Sequence, residues 1–80
     1  MAEKLKLLYP LNDGGNHVES LTMRRPKVRD MVASGSAEGS DEEREVRLFA
    51  SLCDVPPALL EEMDIVDYKE LQKIYTGFLD

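Results

Sequence analysis

Leu5 and Leu7 alternate with Lys4 and Lys6 across residues 3–9 (EKLKLLY). This two-residue period is that of a strand with one face buried and one in water. Pro10 is expected to end that strand. The run Asn12-Asp13-Gly14-Gly15-Asn16 follows, and its residues tolerate the positive φ angles of a tight reversal. Residues 17–23 (HVESLTM) return as a second strand with Leu21 and Met23 on one face. Val18 falls on the other face, so a bulge or a change of face is expected near Glu19. The pattern predicts a β-hairpin over residues 3–24.

Helical spacing takes over after Pro26, a residue suited to the first position of a helix. Val28, Met31 and Val32 recur at i, i+3, i+4, giving about two turns that Ser34-Gly35 closes. Residues 35–40 (GSAEGS) read as a surface loop. Ser40 with Glu43 three residues on fits a capping box, and Asp41, Glu42 and Glu43 place negative charge at the helix N-terminus. Val46, Phe49, Ala50 and Cys53, joined by Leu52, then form an apolar stripe. Val55-Pro56-Pro57 breaks this helix, and Pro57 can start a short one carrying Leu59, Leu60 and Met63. Asp64 is placed to cap a last helix, with Asp67 three residues later. Ile65, Tyr68, Leu71, Tyr75 and Phe78 form its stripe, and Gly77 is expected to fray its end. These stripes read as core. The expectation is an α+β fold: an N-terminal hairpin, then about four short helices in a small bundle over residues 26–79, as one domain spanning 1–80.

Composition fits a folded chain, with 42% hydrophobic and 32% charged residues. Eighty residues bury only a small core. With no Trp, three Tyr and two Phe, that core rests on Leu, Val, Ile and Met. Net charge is −6 and unevenly spread: six basic against four acidic residues in 1–30, four against twelve in 31–80. An acidic chain repels nucleic acid and anionic membranes, so neither is expected as the main partner. One cysteine excludes an internal disulfide and fits a reducing compartment. No apolar h-region or membrane-length run is present, so a cytoplasmic location is expected.

Chemistry is sparse. His17 is the only histidine and Cys53 the only cysteine, too few for a zinc site. Cys53 lies on an apolar stripe and is expected to be a buried hydrophobe. The acidic runs 41–45 and 61–67 lack the ligand spacing of a Ca²⁺ loop and read as helix caps and solvated faces. No catalytic residue, metal or cofactor is expected. Arg24, Arg25, Lys27 and Arg29 are the exception to the acidic balance. They read either as an electropositive contact for an acidic partner or as an intramolecular counterweight to the acidic helices.

The ordered string Leu21-Thr-Met-Arg-Arg-Pro-Lys-Val-Arg-Asp30, Gly39-Ser-Asp-Glu-Glu43 and Glu45-Val-Arg-Leu-Phe-Ala-Ser-Leu-Cys53 resembles the phage tail assembly chaperone family. This is the tail protein E type of contractile-tailed phages and Mu-like prophages. Val55-Pro, Met63-Asp64, Asp67-Tyr68, Leu71-Gln72 and Gly77-Phe-Leu79 continue the likeness, with Met63 in place of an expected leucine. The resemblance implies a non-enzymatic helper, absent from the mature virion, that binds the long helical tape-measure protein and keeps it soluble during tail morphogenesis. In related systems ribosomal frameshifting yields a longer form, which implies an extended form of the chain itself as a further partner. The competing reading is a small phage regulator that contacts nucleic acid or another protein through the Arg24–Arg29 strip. Stoichiometry and oligomeric state stay open, since an isolated hairpin also leaves strand edges free to pair with a second copy.

Overall fold

The computed structural model describes residues 2–80. In chain order it contains β1 (Ala2–Asp13), β2 (Asn16–Arg24), α1 (Val28–Ser36), α2 (Asp41–Cys53), α3 (Pro57–Glu61) and α4 (Ile65–Phe78). This is the predicted α+β order, an antiparallel hairpin followed by four helices. Gly14 and Gly15 close the hairpin with φ angles of 56° and 93°, the left-handed values that a two-residue primed turn requires.

β1 runs past Pro10, contrary to the expectation that proline ends it. The ladder pairs Ala2–Lys6 with Arg24–Ser20 and Leu11–Asp13 with Val18–Asn16, leaving Leu7 to Pro10 opposite Glu19 alone. No ladder bond is required of Pro10 in this stretch, so its missing N–H is tolerated. The irregularity near Glu19 is present, but the extra residues lie on β1. It sets Val18 across from Leu11, where Val18 packs against the core.

The hairpin's apolar face presents Leu7, Leu11, Leu21 and Met23 to α2 and α4. α2 answers with Phe49, Ala50, Leu52 and Cys53, α3 with Leu59 and Leu60, and α4 with Leu71 and Phe78. Phe49 lies between Tyr68 and Tyr75, ring centroids 5.6 and 5.1 Å away. Glu45 of α2 accepts hydrogen bonds of 2.8 Å from the Tyr68 hydroxyl and the Gln72 amide, tying α2 to α4. The α2 capping box forms as predicted: the Glu43 amide donates to Ser40 Oγ at 3.1 Å, and the Ser40 amide to Glu43 Oε1 at 3.0 Å. Pro57 occupies the first turn of α3, and the Asp64 carboxylate caps α4 by accepting from the Val66 amide at 2.9 Å.

Three details of the helices depart from the sequence pattern, the first being that α1 runs through Gly35 to Ser36 instead of closing at Ser34-Gly35. Pro26 precedes α1 rather than opening it; Lys27, in extended conformation, is the N-cap. Ile65 does not join the buried stripe of α4 but stands in solvent, and Asp67 takes the inward position on that face.

Candidate protein-binding surface

α1 is a short helix of opposed stripes. Positions 28, 31, 32 and 35 share one side, and positions 30, 33, 34 and 37 share the other, each set at i, i+3, i+4, i+7. The second side faces α2, with Asp30 buried, Ser34 and Ala37 half-buried and Ala33 exposed. Asp30, Ala33, Ser34 and Ala37 line a cleft against Leu48 and Ser51 of α2. The apolar side faces water, with Val28, Met31 and Val32 exposed at 71, 68 and 63%. This corrects the expectation that the stripe is core.

The inversion has a local cause. Asp30 is buried and takes both guanidinium nitrogens of Arg24, at 2.8 and 2.9 Å, from the end of β2. It also accepts from the Lys27 amide at 2.7 Å. Three donors around one carboxylate fix the rotation of α1 about its axis. The Arg24 bonds, more than the Lys27 amide and the nearby Arg29 charge, hold the Asp30 carboxyl down at about 2 against the cost of burial.

The four cations singled out in the sequence therefore divide. Arg24 is committed to Asp30. Arg25 donates to the Phe78 carbonyl at 3.2 Å, and its guanidinium lies 5.3 Å from the Phe78 ring centroid, pinning the end of α4. Lys27 and Arg29 are exposed beside the α1 stripe, without an ion pair among the described residues. The structure thus sets an exposed apolar stripe beside two cations without an ion pair among the described residues, the kind of exposed apolar patch that marks an interaction site.

A second apolar cluster escaped the sequence reading. Leu8 and Tyr9, in the β1 bulge, are 72 and 54% exposed, and Ile65 and Val66, opening α4, are 70 and 49% exposed. Asp67 holds the two pairs together. Its carboxylate, 1% exposed, accepts from the Leu8 and Tyr9 amides at 3.0 Å each. The off-phase Val18 and the proline inside a strand were the available signals. Elsewhere, burial pushes the Cys53 thiol up to about 11, as suits a core residue. His17 is exposed at the hairpin end opposite Asn12.

The family comparison places this hairpin-then-helices chain. A family model described as phage tail assembly chaperone proteins, E, or 41 or 14, matches residues 4–80, nearly the whole chain. The chain belongs to this phage tail assembly chaperone family. No curated protein and no solved structure matched it. Among the described residues no helix is long and apolar enough to cross a membrane.

Proposed function

We propose that this chaperone binds the tail tape-measure protein through the outward stripe of α1 and keeps it soluble until the tail tube encloses it. The observation that carries this reading is the orientation of α1, whose Val28, Met31 and Val32 face water although a two-turn amphipathic helix would ordinarily bury them. A tape measure is a long helical chain with apolar stripes of its own, and pairing stripe with stripe shields both. Lys27 and Arg29 at the border of α1 favour acidic flanks on the bound helix. Arg24 and Arg25 act from behind, holding α1 and the end of α4 in place. The role is non-enzymatic and belongs to the host cytoplasm, before the virion is complete. A frameshifted, longer form of the chain is a further partner under this reading.

Co-expression of the chain with its cognate tape-measure protein tests it. The tape-measure protein should stay soluble and co-purify with the parent chain, and both effects should fall with Met31→Asp. A tape measure that aggregates equally with and without the chain overturns the reading. Salt-sensitive binding of the chain to DNA or RNA would favour the nucleic-acid regulator instead.

A further inference from the structure

We propose that the face formed by Leu8, Tyr9, Ile65 and Val66 is a two-fold interface with a second copy of this chain. This contact is separate from the tape-measure surface on α1 and does not depend on it.

Bulges re-aim side chains, and this one is held rather than merely allowed. Three surplus residues enter β1 opposite Glu19, and a buried carboxylate on another element secures two of their amides. The result carries Leu8 and Tyr9 out of the sheet beside the first turn of α4. The two amide bonds to Asp67 set the Leu8–Tyr9 backbone beside α4, so four large, exposed apolar residues lie in one region of the surface, the kind of feature that marks interaction sites.

Charge selects the occupant. A two-fold contact requires a patch complementary to itself. Glu61, Glu62 and Asp64 lie just ahead of Ile65 and Val66, and Lys69 lies one turn beyond Ile65 on the same side of α4; all four are exposed. Setting two α4 first turns antiparallel lays Ile65 and Val66 against their own counterparts. It also brings each Lys69 over the acids of the other copy. A parallel arrangement, or a partner of uniform charge, leaves either the lysine or the acids unmatched. The patch is at the small end of specific interfaces, so the dimer is weak and reversible.

Sedimentation velocity of the full chain over a wide concentration range tests this. The parent chain should show reversible monomer–dimer exchange, and Ile65→Asp or Leu8→Ser should weaken it by roughly tenfold or more with an unchanged circular dichroism spectrum. Lys69→Glu and Glu62→Lys should each weaken self-association alone, because each sets like charges across the two-fold. Mixing the two variants should restore dimers, because every lysine then meets an acid again. A parent chain that stays monomeric overturns the proposal. So does a dimer indifferent to Ile65→Asp and Leu8→Ser, or a mixture no tighter than its components.

Discussion

Replacing Asp67 tests the device that links the hairpin to α4. Its carboxylate is almost fully buried and accepts two backbone N–H bonds of 3.0 Å, from Leu8 and Tyr9. Hydrogen bonds to a charged acceptor contribute roughly 1.5–3 kcal/mol each, and a buried donor left unpaired costs about 1–3 kcal/mol. Leu8 and Tyr9 lie at the surface, so water can recover part of the loss once the carboxylate is gone. Asp67→Ala should therefore cost about 3–4 kcal/mol. Asp67→Asn keeps one acceptor and turns a donor toward the other amide, so about 2 kcal/mol is expected. A chain of this length has a total stability of roughly 4–12 kcal/mol, which makes the alanine change severe. Urea unfolding followed by circular dichroism measures both. Amide exchange at Leu8 and Tyr9 supplies the local readout, with protection lost in the variants before the core opens. Equal stability of parent and Asp67→Ala, or unprotected Leu8 and Tyr9 amides in the parent, would refute the reasoning.

Phe49→Ala removes the ring packed between Tyr68 and Tyr75 and should lower urea stability by about 3–5 kcal/mol; a loss under about 1 kcal/mol would mean the ring is not in the core. Asp30 supplies a pH dependence: its folded value of about 2 lies below the ordinary 3.8, so its stabilisation is complete above the unfolded value and is lost as pH falls from about 4 to 2. Since Arg24 is partly solvated, that loss should be about 1–2 kcal/mol in urea titrations and absent in Asp30→Asn; a variant with the parent's slope counts against the ion pair. Cys53, buried with its thiol raised to about 11, should react with a thiol reagent at neutral pH only as fast as the chain opens, and immediate labelling would place it at the surface.

The elements were legible in the sequence because each had a local cause. The Gly14-Gly15 turn, the Ser40/Glu43 box and the stripe around Phe49 act within a few residues of themselves. Their locations follow from turn chemistry and period alone. What the pattern missed depends on partners distant along the chain. Asp67 lies 58 and 59 positions from the amides it binds, and no spacing rule connects them. It also takes the inward place on α4 that periodicity assigns to Ile65. α1 was misread for a related reason. Its apolar residues outline a stripe, but the Arg24–Asp30 pair, a contact between elements, decides which side of the helix faces inward. The basic strip was visible as composition, yet only the fold separates the two arginines that hold the structure from the two cations left free.

Hydrogen–deuterium exchange on the chain, alone and bound to the tape-measure protein, tests most directly whether α1 is the chaperone's working face. Residues 28–36 pack on one side only and should exchange readily in the free chain, then gain marked protection in the complex. The amides of 49–53, where α2 meets the core, should change little. Protection that appears elsewhere while 28–36 exchange as freely as before would contradict the assignment of α1.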